Sequence, residues 1–249
     1  HRKTRTAEAN NVTNNPGYDH RMAEHDVLLS GLAALRNVRT QSIRIVASEC
    51  LMAAPFLPAL MNVSEKYQDA AIELMSAESN AAHRVILNDT AHFGLLLDSP
   101  DDVRLRVHAA ARQPFVVLMA RQHPLAIHER ITPEMVVENK LLTPLPSSRL
   151  FEIIQTVFSS RGLSLNIALK SSSMQMILNG VERGFGIALL PALFAPEDQN
   201  SALIVRPLDC EELREISLLL VSRVGRKLEP GALEMRSALM RAIRKLPAK

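Results

Sequence analysis

The hydrophobic positions of this chain follow two alternating patterns from residue 42 onward, and these predict alternating β-strands and α-helices. Continuous apolar runs such as 93–97 are typical of strands that are buried on both faces of a sheet. The clearest amphipathic helix has its apolar residues at helical spacing, at Leu150, Ile153, Ile154, Val157 and Phe158. Such alternation implies parallel sheets with right-handed crossovers, and therefore an α/β fold.

The predicted elements fall into two consecutive sets. We predict strands at residues 43–47, 71–75, 93–97, 103–107, 115–120, 141–142, 166–169, 187–190, 203–208 and 215–221. We predict helices at residues 20–37, 51–67, 80–87, 149–161 and 173–183, and a last helix with Met235, Leu239, Ile243 and Leu246 on one face. Two sets of strands and helices that are joined twice imply two lobes with a cleft between them.

The segment from Gly184 to Pro191 is the most informative part of the chain. A predicted helix ends at Gly184, which can adopt the left-handed conformation of a helix C-cap. Gly186 allows another backbone or a ligand to approach closely. The two glycines follow a helix rather than a strand, so they do not form a dinucleotide-binding fingerprint.

This segment resembles the effector-binding domain of LysR-type transcriptional regulators, where Gly-x-Gly-Ile is followed by an apolar residue and Leu-Pro. Other segments resemble the same domain in the expected order, at residues 42–48, 56–61 with Lys66-Tyr67, 115–119 with 123–126, and 131–134. The resemblance covers residues 26–246. It implies two Rossmann-like lobes of the periplasmic-binding-protein type II kind, preceded by an N-terminal helical linker.

The resemblance also implies a domain organisation. Residues 1–19 would be a remnant of the DNA-binding wing and its loop, residues 20–40 the linker helix, and residues 41–249 the effector-binding domain. The alternation of strands and helices, with a crossover at residues 121–125, predicts that lobe I comprises residues 42–120 and 210–246, and lobe II residues 121–209. Leu28, Leu32 and Leu35 form one apolar stripe on the linker helix, which either pairs two subunits or packs on its own domain. The family's helix-turn-helix has no counterpart in this chain.

Candidate ligand contacts lie where helices start after predicted strands, because a helix N-terminus offers free N–H groups and a positive dipole end. The resemblance places these segments at effector-contacting loops, and Phe185 joins them as a candidate apolar wall. The candidates are Ser48, Glu49, Cys50, Ser147, Ser148, Ser171, Ser172 and Phe185. Alternatively, the serines are helix caps, Phe185 is a core residue, and Cys50 is either a redox sensor or a small buried residue. We expect a small carboxylate or amino acid, and Glu49 leaves a zwitterionic, cationic or neutral ligand open.

Charge and composition bear on three other functions, namely binding of nucleic acid, binding of a metal or cofactor, and insertion into a membrane. The chain has 29 basic and 26 acidic residues, and this excess is too small to indicate nucleic-acid binding by itself. Arg2, Lys3 and Arg5 cluster at the start, and we expect them to contact only DNA phosphates, weakly and without sequence preference. The cysteines and histidines form no metal-ligand spacing, and we expect no metal and no cofactor. A signal segment and a membrane-spanning apolar run are absent, so we expect a cytoplasmic protein that does not enter a membrane.

The resemblance implies a small-molecule-sensing regulatory domain of a LysR-type DNA-binding transcription factor, and not an enzyme. The effector would bind between the lobes and alter the geometry of a homodimer or homotetramer, while DNA would be bound through the family's N-terminal domain. One alternative is a solute-binding protein of the periplasmic type. Another is an enzyme on the same fold, for which Cys50 is the candidate reactive group.

Overall fold

The computed structural model of the protein describes residues 42–48, 51, 56–98, 102–196 and 201–246. All of them belong to one compact unit, Gln41–Lys249. The predictions for the linker helix and for Arg2, Lys3 and Arg5 lie outside the described residues, and so do those for Glu49 and Cys50.

Strands and helices alternate through most of the described chain. The strands are β1 (Ile43–Ala47), β2 (Ile72–Ser76), β3 (Phe93–Leu97), β4 (Leu105–Gln113), β5 (Phe115–Ala120), β6 (Leu141–Pro144), β7 (Ile167–Ser171), β8 (Ala188–Pro191), β9 (Leu203–Pro207) and β10 (Ile216–Arg223). The helices are α1 (Leu57–Lys66), α2 (Ser79–Leu87), α3 (Pro133–Val137), α4 (Arg149–Ser160), α5 (Met174–Glu182) and α6 (Pro230–Arg244). Short 3-10 helices lie at Pro124–Ile127, Ala192–Phe194 and Glu211–Leu213.

The first sheet has five strands in the order β2-β1-β3-β10-β4. Strands β1, β2 and β3 are parallel, and β10 runs antiparallel to both β3 and β4. Val46, Leu96 and Val221 form a small core with α2, whereas the preceding residues Ile45, Leu95 and Leu220 belong to the main core together with α6. Because neighbouring strand residues point to opposite faces, this sheet is covered on both sides.

The other strands form two small sheets. Strand β5 pairs antiparallel with both β8 and β9, and β6 pairs parallel with β7. A parallel bridge between Leu141 and Ile187 joins the start of β6 to the residue before β8. Two backbone hydrogen bonds secure this bridge, from Leu142 N to Ile187 O and from Ile187 N to Lys140 O, both 2.8 Å.

The prediction of parallel sheets is wrong for β10, which is antiparallel to its neighbours, and for the sheet of β5, β8 and β9. Alternation of strands and helices gives the order of elements, but strand direction depends on where the chain re-enters a sheet. Strand β5 falls in predicted lobe I, but it pairs with β8 and β9, which fall in predicted lobe II. A boundary after Ala120 therefore divides a hydrogen-bonded sheet, and the two-lobe division itself stays a prediction.

Candidate functional site

The parallel pairing of β6 with β7 brings two of the predicted loops together. Thr143 is paired with Lys170, and Pro144 with Ser171, so both strands end at the same edge. The loop containing Ser147 and Ser148 leaves one strand, and the loop containing Ser171 and Ser172 leaves the other. Carboxyl ends of neighbouring parallel strands are where open α/β sheets bind their ligands.

Ser148 is buried at the N-cap position of α4, but its side chain makes no capping hydrogen bond. Its backbone N–H donates to Leu145 O at 2.9 Å, and its carbonyl accepts from Glu152 N at 3.1 Å. The hydroxyl is therefore not committed to the helix N-terminus, where N–H groups and the positive dipole end favour an anion. Ser147, one residue earlier, is exposed.

The serines before α5 have different roles. Ser173 caps the helix, because its hydroxyl accepts from Met176 N at 3.4 Å. Ser171 Oγ accepts from Ser173 N at 3.0 Å and shapes the turn. Ser172 lies exposed between them. The capping alternative therefore holds for Ser173, which was not a candidate, while Ser172 is free to contact a ligand.

Thr143, in β6, is a polar residue at this edge that the sequence did not single out. It is 2% exposed, and its hydroxyl oxygen has no hydrogen-bond partner among the described residues. A buried hydroxyl without a partner is costly, so such groups are rare in folded proteins. The sequence could have indicated this residue, because a threonine directly follows Leu141-Leu142. The predicted strand ended at Leu142, two residues before the observed end of β6 at Pro144.

Ser48 lies at the carboxyl end of β1 in the five-stranded sheet, and it is buried. Its carbonyl accepts a hydrogen bond from Leu51 N at 2.9 Å. This placement agrees with the prediction that Ser48 follows the first strand. A cleft shared by Ser48 with the loops after β6 and β7 stays a prediction.

Phe185 lies away from the serine loops. The left-handed conformation predicted for Gly184 is confirmed at φ +75°, and a β-carbon on Gly186 would lie 2.3 Å from Lys140 O. The turn thus holds Phe185 beside Lys140, whose Nζ is 5.8 Å from the ring centroid. Lys140 precedes β6, so the half-exposed Phe185 is at the opposite end of this strand from Ser148. Its role in ligand binding stays a prediction that this placement does not support.

Charged and metal-binding groups add little to the serine loops. Arg149, the first residue of α4, pairs with Glu152 at 3.4 Å, and Lys170 Nζ lies 5.8 Å from the Phe151 ring centroid. Cys210 is buried, and burial raises the pKa of its thiol, which disfavours the reactive thiolate. Within the described residues, no three His, Cys, Asp or Glu side chains form a group that could hold a metal ion. In the same residues, no helix is both long and apolar enough to cross a membrane.

Known structures share this fold. The effector-binding domain of QuiR, in complex with shikimate, superposes with a TM-score of 0.64 at 15% identity, over 82% of this chain and 97% of that one. The CcmR regulatory domain from Synechocystis, in complex with 2-PG, superposes with a TM-score of 0.70 at 19% identity, over 83% of this chain and 99% of that one. Such domains have the type II periplasmic-binding-protein-like fold, so the predicted fold class is confirmed.

The sequence is also similar to curated transcriptional regulators. It is 24% identical to the HTH-type regulator YfeR of Shigella flexneri over 76% of this chain and 61% of that protein. It is likewise 24% identical to the HTH-type activator CmpR of Synechocystis over 66% of this chain and 54% of that protein. The chain thus spans about three fifths of the length of the first of these regulators. Because residues 36–244 match the family model of the LysR substrate binding domain, the chain belongs to the LysR substrate-binding domain family.

Proposed function

We propose that this chain senses a small molecule at the carboxyl ends of β1, β6 and β7, as the regulatory domain of a cytoplasmic transcription factor. Two observations carry the proposal. The buried Thr143 hydroxyl has no hydrogen-bond partner among the described residues, and the buried Ser148 hydroxyl does not cap its helix. Both are polar groups that remain available to a ligand. Family membership supports small-molecule sensing, because the domains of QuiR and CcmR, which share this fold, were determined in complex with shikimate and 2-PG.

The ligand that we propose is a small carboxylate or amino acid. Helix α4 has 12 residues, and its N-terminus lies at this edge with the hydroxyls of Ser147 and Ser148 beside it. Free N–H groups and a positive dipole end attract an anionic group, and hydroxyls can accept or donate hydrogen bonds around it.

Binding would act on the rest of the regulator through geometry. A ligand that contacts Ser48 as well as Ser148 would hold the two sheets in one arrangement. It would shift the protein towards that arrangement by its difference in affinity for the two states. In the longer regulator, the change would alter how the family's N-terminal domains are presented to DNA.

We propose that the assembly is a homo-oligomer in which a second copy covers α1 and β2. Strand β2 is an edge of the five-stranded sheet, so one side of its backbone is unpaired within the described sheet. Leu57 and Met61 are exposed one turn apart on α1, and Leu74 is exposed on β2. Sedimentation of Met61→Glu and Leu74→Lys should show a smaller species than the parent chain. An unchanged molar mass for both would place the interface elsewhere.

A thermal-shift screen of carboxylates, amino acids and aromatic compounds would find the ligand. Calorimetry should then show that Ser148→Ala binds it more weakly by about 0.5–1.5 kcal/mol, or about twofold to tenfold, the usual value of one hydrogen bond. Ser164→Ala is the matched control, since Ser164 is exposed and lies after α4. Equal affinity in Ser148→Ala, Thr143→Val and the control would remove these residues from the binding site.

A further inference from the structure

A cavity lies near the amino end of β3 in the five-stranded sheet, at the opposite end of the parallel strands from Ser48. Val221 in β10 pairs with Gly94 near the start of β3, so Arg223 lies beyond the amino end of that strand. Ser48, by contrast, follows the carboxyl end of β1, which is parallel to β3. Five strand residues span roughly 16 Å, so the two places are separate.

Three arginines line this cavity of about 630 Å³, and it also has apolar walls. Arg84 comes from the last turn of α2, Arg104 from the residue before β4, and Arg223 from the end of β10. Leu87, Val103 and Val224 provide the apolar surface, and Val103 is 95% exposed. Small-molecule sites typically have this size and this combination of apolar walls with a few polar groups.

Two of the arginines are held in place by carboxylates. Asp102 accepts from Arg104 Nε at 2.9 Å and from Nη2 at 2.7 Å, in a bidentate arrangement. Arg223 Nη2 lies 2.6 Å from Asp89 Oδ2, while its Nε is buried and has no acceptor among the described residues. Because the carboxylates orient both guanidinium groups, little further conformational entropy is lost when a ligand binds them.

Positive charge exceeds negative charge at this cavity. Asp89 is shared between Arg223 and Arg226, whose Nη1 lies 3.1 Å from Asp89 Oδ1. The Arg84 side chain is exposed and has no hydrogen bond or ion pair among the described residues. A hydrogen bond from Val224 N to Arg104 O at 2.8 Å joins the segment that contains Arg104 to the segment that follows Arg223. The cavity is therefore a built, concave surface with donors that are not used within the described fold.

We propose that this cavity binds a small organic oxyanion, a carboxylate or a phosphate ester, at a second site separate from the serine loops. Guanidinium groups bind both kinds of oxyanion through paired N–H donors. The apolar walls favour a ligand with a hydrocarbon part over a bare ion. The concave shape and these walls favour a small molecule over the phosphates of a DNA duplex.

The test titrates the 249-residue chain with benzoate, phenyl phosphate, inorganic phosphate and a 12-base-pair DNA duplex, at constant ionic strength set with chloride. Amide ¹H–¹⁵N spectra and calorimetry follow binding. We expect saturable binding of benzoate or phenyl phosphate, with shifts at Arg84, Leu87, Arg104 and Val224. Arg84→Gln should weaken it at least tenfold and leave the fold intact, because the Arg84 side chain is exposed and makes no hydrogen bond to another described residue.

Arg183→Gln is the matched control, since Arg183 is an exposed arginine at the end of α5. It should leave the affinity unchanged. Amide shifts at Arg84, Leu87, Arg104 and Val224, without shifts at residues 143–148 and 171–173, distinguish this binding from binding at the serine loops. The proposal is overturned if no small oxyanion gives saturable binding, or if Arg84→Gln and Arg183→Gln have the same effect. It is also overturned if only the DNA duplex binds in a way that depends on Arg84.

Discussion

Replacing Thr143 with valine should stabilise this protein while weakening its response to an effector. The side chain is 2% exposed, and its hydroxyl oxygen has no hydrogen-bond partner among the described residues. Valine has nearly the same shape, with a methyl group in place of the hydroxyl. The substitution therefore removes an unsatisfied polar group without opening a cavity.

The size of the effect follows from the burial of that hydroxyl. A buried donor or acceptor without a partner costs about 1–3 kcal/mol, and exchanging it for a methyl group of similar shape recovers part of that cost. Valine also favours strands slightly, but this preference is small beside the desolvation of a hydroxyl. We therefore expect the free energy of unfolding to rise by about 1–2 kcal/mol in the absence of ligand.

Urea denaturation followed by circular dichroism measures this change. Thr156→Val is the control, since Thr156 is exposed on α4 and its hydroxyl donates to Glu152 O at 2.7 Å. It should change the free energy of unfolding by no more than about 0.5 kcal/mol. If Thr143→Val lowers the free energy of unfolding by 1 kcal/mol or more, the hydroxyl has a partner in the fold, and the inference that it is kept for a ligand fails.

Two further predictions concern stability. Gly186→Ala should destabilise the protein by about 2–3 kcal/mol, because its β-carbon would lie 2.3 Å from Lys140 O. Gly162→Ala, with φ +70° and open space around it, should cost only about 1 kcal/mol, and equal costs in urea denaturation would refute the close approach. Burial lowers the pKa of His92 to about 4, and its Nδ1 accepts from Arg44 N at 3.0 Å. The unfolded chain then binds this proton first, so the free energy of unfolding should fall by about 1–3 kcal/mol as the pH drops from about 6.5 to about 4. His92→Gln should flatten that dependence, and an unchanged slope would assign it to other groups.

Strand positions could be predicted where burial alone decides them. The apolar runs Phe93–Leu97 and Phe115–Ala120 form strands with the predicted bounds, because both faces of each strand are covered. Strand β4 extends to Gln113, six residues beyond its predicted end, since an edge strand can carry polar residues that break the apolar pattern. The direction of β10 was not predictable, because it depends on a return from a distant part of the chain.

The candidate site was only partly predictable for a similar reason. The sequence predicted correctly that serines lie at helix starts. Whether a serine hydroxyl caps its helix depends on the orientation of the side chain, which the sequence does not give. Ser173 caps α5, whereas Ser148 at the equivalent position of α4 does not. Phe185 lies near the bridge between Leu141 and Ile187, at the opposite end of β6 from Ser148. This bridge joins residues that are far apart in the chain, so local sequence patterns could not predict it.

The most direct test of the proposed effector site is to map the amide shifts of the chain at saturation with the ligand that the thermal-shift screen identifies. We predict that the largest changes fall at Ser48, at residues 143–148 and at residues 171–173, because these lie at the carboxyl ends of β1, β6 and β7. Unchanged shifts in all three segments, with the largest changes around Lys140 and Phe185 or elsewhere, would contradict the account.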